Sequence, residues 1–158
     1  MKTNIVEPHK SKLGLDANMA VMLMYILIIL MTFVSWIPFV GVLGNLLWIV
    51  LPVVLLIMDR ESEFIKYQAV QALIIGLVRT VISIVLGIPQ FIINVFFDGG
   101  ILALLLWLLS SLISLVIVAL TVYLLLMALG YKQVELPGLS TAVVKLNAAF
   151  DKAFKKKQ

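Results

Sequence analysis

The sequence has no cysteine, a single histidine and few charges, and each scarcity removes a class of chemistry. Without cysteine there is no disulfide, no thiolate metal site and no thiol nucleophile. His9 has no His, Asp or Cys at ligand spacing, so the sequence does not point to a metal. No nucleophile–base pair, phosphate-binding glycine loop or paired carboxylate site is recognisable, and the chain reads as non-enzymatic and without a cofactor. Charged residues are only 13% of 158, against about one quarter in an ordinary globular domain. Water is the wrong solvent for such a chain. The formal charge of +4 does not point to nucleic acid, because the basic residues fall in three segments that flank apolar runs.

What is abundant is hydrocarbon: 63% of the residues are hydrophobic. Four apolar segments stand out, at 17–34, 41–58, 69–88 and 101–129. At 1.5 Å per residue the first three match a hydrocarbon layer roughly 30 Å thick, and the fourth must tilt or extend past it. Spanning β-barrels need alternating polar and apolar positions, whereas these runs are apolar on all faces. The expected class is all-α: a polytopic membrane protein with four transmembrane helices and a C-terminal amphipathic helix. The first run starts after Asp16, exceeds the length of a signal-peptide core and closes on no small-x-small site, so it reads as a retained anchor.

Punctuation divides the chain into a segment 1–16, a transmembrane domain 17–131 and a tail 132–158. Trp36 and Pro38 separate the first two spans, Pro89 is expected to end the third, and Asp98-Gly99-Gly100 turns into the fourth. Gly130 with Tyr131 and Lys132 reads as a helix end with an interfacial anchor. Lys2, Lys10 and Lys12 lie before the first span, Arg60 and Lys66 between the second and third, and Lys132, Lys145, Lys152, Lys155, Lys156 and Lys157 after the fourth. Four spans put all of them on one side, which the positive-inside rule makes cytoplasmic. Both termini are therefore expected in the cytoplasm of a bacterial cell, with the chain in its inner membrane.

In the tail, Ser140 can cap a helix that carries Leu139, Val143, Leu146, Phe150 and Phe154 at three-to-four-residue spacing, with Lys145, Lys152 and Lys156 opposite. Such a helix lies at the headgroup boundary, and Lys152, Lys155, Lys156 and Lys157 would each gain about 1 kcal/mol beside anionic lipid head groups. The alternative is a solubilising tail.

Arg79 is the one charge inside a predicted span, which makes it a candidate functional residue by default. Two readings stand side by side: a structural side chain that snorkels or packs, and the lining of a polar path. Ala72, Gly76, Thr80, Ser83 and Gly87 draw a stripe of small residues along the third span, with Ser110, Ser114 and Thr121 as a counterpart on the fourth. Close packing of those two spans, or of two copies, is the expected use. Gln68 and Gln71 enter the third span at i, i+3, as candidates either for function or for satisfying a helix end such as the carbonyl freed by Pro52. The polar island Asp59 to Gln71 carries Asp59, Glu61 and Glu63 against Arg60 and Lys66. Its acidic residues suit a helix N-terminus, and a docking surface for a soluble partner is the alternative.

Two stretches carry a resemblance. Lys12-Leu13-Gly14-Leu15-Asp16-Ala17-Asn18-Met19-Ala20, leading into Tyr25, and Glu63-Phe64-Ile65-Lys66-Tyr67-Gln68-Ala69-Val70-Gln71-Ala72-Leu73 resemble a family of small bacterial membrane proteins of unknown function. That family is related to the Tic-twenty subunit of the chloroplast inner-envelope protein import translocon. Its members show a Gly-Leu-Asp-Glu-Asn-like entry to the first span and a Phe-Val-Arg-Phe-His-Ala-x-Gln-Ser-like entry to the third. Here Lys66, Tyr67 and Gln68 stand for the usual Arg, Phe and His, and glutamine does not titrate, which argues against proton transfer at that position. The resemblance implies a four-helix membrane protein and, for the plant relatives, an association with protein translocation; for the bacterial members it implies little beyond the fold. The leading reading is an accessory or structural subunit of a larger membrane complex, or a homo-oligomer, acting through protein or lipid association. The alternatives are a small oligomeric transporter or channel and a phage-type permeabilising protein with a basic tail.

Overall fold

The computed structural model describes residues 3–34, 47–59, 61–97, 100–136 and 138–155. The first apolar run forms α1 (Ala17–Val34), opened by the Ala20 N–H donating to the Asp16 carbonyl at 3.0 Å. A shorter helix, α2 (Val50–Met58), ends where the Asp59 N–H returns to the Leu55 carbonyl at 2.9 Å. Two long helices follow, α3 (Glu63–Phe96) and α4 (Gly100–Leu129), and α5 (Ser140–Lys155) closes the order. The strands β1 (Thr3–Ile5) and β2 (Lys132–Val134) pair antiparallel, Thr3 opposite Val134 and Ile5 opposite Lys132. The architecture is all-α with this small ribbon attached. Three helices, α1, α3 and α4, are long and apolar enough to cross a membrane.

α1 and α4 match the apolar runs that announce them, and α3 does not. Pro89 lies inside α3, which runs on to Phe96, so the expected stop at Pro89 is wrong. A proline removes one N–H and crowds the preceding turn, but a long apolar helix retains its other bonds and has no water to take its carbonyls instead. The second run is shorter than expected within the described residues: Trp48 and Ile49 are in a turn and the helix proper starts at Val50. Its start at 41–46 lies outside the described residues, as do Trp36, Pro38, Asp98 and Gly99. Ser140 is the first residue of α5 instead of the residue preceding it. At the end of α4, the left-handed conformation falls on Tyr131 (φ 54°), one residue past Gly130.

The core gathers at one end of the bundle. Ala17, Val21, Met24 and Tyr25 of α1 pack with Phe64, Ile65, Ala69 and Val70 of α3 and with Leu124 and Ala128 of α4. α4 packs on both α1 and α3, and α2 packs mainly on α3. Every buried residue of α3 lies at or before Arg79, and the rest of the helix is apolar and mostly exposed. Phe91, Phe96, Ile101, Leu112 and Val116 are each more than 60% exposed, which is a surface for hydrocarbon and not for water. At 1.5 Å per residue α1 is about 27 Å long, α4 about 45 Å and α3 about 51 Å. The α3–α4 pair therefore outreaches α1.

Candidate functional site: a polar clasp at one end of the bundle

Most of the polar side chains that the structure fixes sit at the end where α3 begins. The Ser62 hydroxyl caps α3 by accepting the Ile65 N–H at 3.2 Å, satisfying one of the donors that a helix start leaves open. The same hydroxyl lies 2.6 Å from His9 Nε2, and His9 Nδ1 lies 3.0 Å from the Glu7 carbonyl. One tautomer fits both contacts: Nδ1–H donates to Glu7, and Nε2 accepts from the Ser62 hydroxyl. His9 is thus an organiser of a helix cap, and among the described residues no group of acidic or histidine side chains is placed to hold a metal. Its ring also meets Phe64 edge-on at 6.4 Å and Tyr131 at 6.3 Å, while Phe64 and Tyr131 lie 5.4 Å apart. Tyr131, packed in this aromatic cluster, has the left-handed conformation that a bulky residue rarely adopts.

Beside the cap, the N-terminal segment folds back over the end of α2. Gly14 (φ 81°) turns the chain, Lys10 bridges Asp16, and the Ser11 N–H donates to the Leu15 carbonyl at 2.8 Å. That loop presents two donors to Asp59, which is only 3% exposed: the Ser11 hydroxyl reaches Oδ2 and the Lys12 N–H reaches Oδ1 at 2.6 Å. A buried carboxylate is tolerable because both oxygens are met. Lys12 Nζ also pairs with Glu61 at 3.0 Å, but that pair is open to solvent and worth little. The acidic residues of the island therefore differ in role. Glu63 takes the first turn of α3, Glu61 stays on the surface, and Asp59 ties down the N-terminal segment.

Gln68 and Gln71 are both buried and both used. The Tyr25 hydroxyl of α1 donates to Gln68 Oε1 at 2.7 Å, and Gln68 Nε2 donates to the Lys132 carbonyl at 3.2 Å. Gln71 Nε2 donates to the Val134 carbonyl at 3.2 Å. Two glutamines on one face of α3 thus bind α1 and β2, and with β2 paired to β1 they connect the segments before α1 and after α4 to the third helix. They serve the β2 backbone and not the turn that Pro52 frees. Gln71 Oε1 is buried with no hydrogen-bond partner among the described residues.

Arg79 is 6% exposed, and its Nη1 donates to the Thr32 hydroxyl of α1 at 2.9 Å. Thr32 in turn donates to the Ile28 carbonyl at 2.8 Å. The guanidinium is packed between α1 and α3, about 12 Å along the helix from Gln71.

The small-residue stripe divides. Ala72 and Gly76 are buried, Thr80 bonds its own helix at the Gly76 carbonyl, and Ser83 and Gly87 are exposed with open space at Gly87. α3 and α4 do pack together, but the close approach at Gly76 is to the Trp48 ring, which a Cβ there would overlap. Ser110 and Ser114 are partly buried, and Thr121 is buried with its hydroxyl on the Ile117 carbonyl. Of the tail lysines, Lys152 is exposed; Lys155 ends α5, and Lys156 and Lys157 lie outside the described residues. α5 docks on the bundle through Val143, with Phe150 and the preceding Leu139 beside it, while Lys145 stays exposed.

Sequence reading had not picked out Ser62, Asp59 with Ser11, or Trp48. Ser62 three residues before Ile65 at an apolar helix entry was a readable cap signal. The Ser11–Asp59 and Trp48–Gly76 contacts are tertiary and leave no local trace. Comparisons with protein-family models, with curated proteins and with solved structures find no match to this chain.

Proposed function

We propose that this chain is a four-span, non-enzymatic integral membrane protein of the Tic-twenty-like kind, with both termini and the clasp on the cytoplasmic face of a bacterial inner membrane. It acts as an accessory or structural subunit of a membrane assembly through protein or lipid association. The observation that carries this reading is the division of the molecule into two ends. Ser11, Asp59, Ser62, Gln68 and Gln71 are spent on internal contacts at one end, while the exposed surface of α1, α4 and the far part of α3 is mostly apolar. A site that used those groups for chemistry would leave them open to a substrate; here they fix the geometry of a surface. Three long apolar helices support the membrane location, and the fourth span at 41–58 rests on its hydropathy and on the placement of the basic residues.

The subunit reading is tested by crosslinking from Lys66 and Lys145 in native membranes. It expects a defined protein partner, and recovery of only lipid and self-contacts counts against it. The transporter reading draws on the buried Arg79–Thr32 pair. It requires that the unmodified protein in vesicles carry a flux that Arg79→Met abolishes, and no flux from the unmodified protein removes it.

A further inference from the structure

α5 crosses α3 near the clasp and leaves a cleft on each flank. One, of about 320 Å³, has Glu63, Lys66, Gln133 and Asn147 in its walls and opens beside the charged start of α3. The other, of about 610 Å³, lies further along α3 and is walled by Trp48, by Leu73, Ile74 and Leu77, and by Ala142 and Leu146 of α5. Its lining is almost wholly apolar, and its volume falls in the range of small-molecule sites. The order of residues along α3 sets the level: the polar cleft precedes the crossing and the apolar cleft follows it, on the side toward the span. α5 thus separates an aqueous flank from a hydrocarbon flank, as a helix lying in the membrane interface does.

The charges on α5 define the occupant. Ala142 and Leu146 line the apolar cleft one helical turn apart, and Lys145 sits at i+3 from Ala142 on the adjoining edge. Lys152 continues that edge two turns on, and both lysines are exposed. A cleft without charge, bordered on its outer edge by cations, suits a molecule with a long apolar part and an anionic head. We infer that the apolar cleft holds an acyl chain of an anionic phospholipid from the leaflet that faces α5, with Lys145 at its mouth on the headgroup phosphate. This rests on the membrane reading above and adds a ligand to it: one lipid held between α3 and α5.

The test is native mass spectrometry of the full chain, released from micelles that contain phosphatidylglycerol and phosphatidylcholine with identical acyl chains. The unmodified protein is expected to retain one lipid with a preference for phosphatidylglycerol. Ile74→Trp, which fills the cleft, is expected to lose both lipids. Leu77→Trp, at a position 62% exposed and therefore safe for folding, should do the same. Lys145→Gln should keep the lipid but lower the preference about fivefold, the equivalent of about 1 kcal/mol for one lysine near anionic lipid. Retention unchanged by both tryptophans, or a preference unchanged by Lys145→Gln, overturns the site. Carbonate extraction separates the two levels: protein released by carbonate refutes the membrane reading itself, whereas protein that stays in the membrane without cleft-dependent lipid refutes only the cleft.

Discussion

Gln68→Leu probes the joint between α1, α3 and β2. Gln68 is 1% exposed and Tyr25 fully buried, so neither can turn to water when its partner is removed. Leucine keeps most of the packing volume but removes the acceptor of the Tyr25 hydroxyl and one donor to the Lys132 carbonyl. A lost hydrogen bond costs about 0.5–1.5 kcal/mol and a buried orphan about 1–3 kcal/mol. The carbonyl belongs to a paired strand, so the hydroxyl is the main orphan, and the expected loss is about 2–4 kcal/mol. Tyr25→Phe alone removes the same bond from the other side. The double variant leaves no orphaned hydroxyl, so it should be more stable than the two single losses predict, by about 1–2 kcal/mol. Reversible unfolding in mixed micelles with rising dodecyl sulfate, followed by tryptophan fluorescence and circular dichroism, measures all four proteins. A Gln68→Leu loss below about 0.5 kcal/mol, or strict additivity, would refute the reasoning.

The remaining predictions use the same assay or limited proteolysis. Gly76→Leu should destabilise by about 1–3 kcal/mol because its side chain enters the space of the Trp48 ring, and Trp48→Ala in the same chain should recover part of that loss; equal losses with and without Trp48 would contradict the contact. Asp59→Ala removes the acceptor of the Ser11 hydroxyl and the Lys12 N–H, so trypsin should cut at Lys10 and Lys12 much faster than in the unmodified protein. Lys12→Gln breaks only the exposed pair with Glu61 and should change stability by less than about 0.5 kcal/mol; a larger loss would mean that the surface pair, and not Asp59, holds the segment.

How much of this was legible follows from where each signal resides. α1 and α4 are readable because an apolar run bounded by Asp16 or by Gly130 is itself the helix. Pro89 misleads because its rule comes from helices that can give up a turn to water, and α3 has apolar residues on both sides of it. The ribbon is invisible in sequence because three-residue strands carry no periodicity, so the pairing of the two flanking segments could not be anticipated. Gln68 and Gln71 could be found as polar residues at an apolar helix entry, but their partners are the backbone of β2. Arg79 was equally visible as the one charge in a span, but its contact with Thr32 of α1 is tertiary and leaves no trace in the spacing. Along the small stripe the close approach at Gly76 is to the Trp48 ring, which spacing cannot reveal, since it shows that a face is small and not what fills it.

The account stands or falls on the number of crossings between the clasp and the α3–α4 connection. A chain without native cysteine allows single reporters: Glu61→Cys, on an exposed residue of the clasp, and Gly99→Cys, in the connection. In intact cells a membrane-impermeant maleimide should label Gly99→Cys and leave Glu61→Cys unlabelled until the membrane is opened. Labelling of Glu61→Cys in intact cells, or protection of both positions, would contradict the four-span arrangement and the cytoplasmic placement of the clasp.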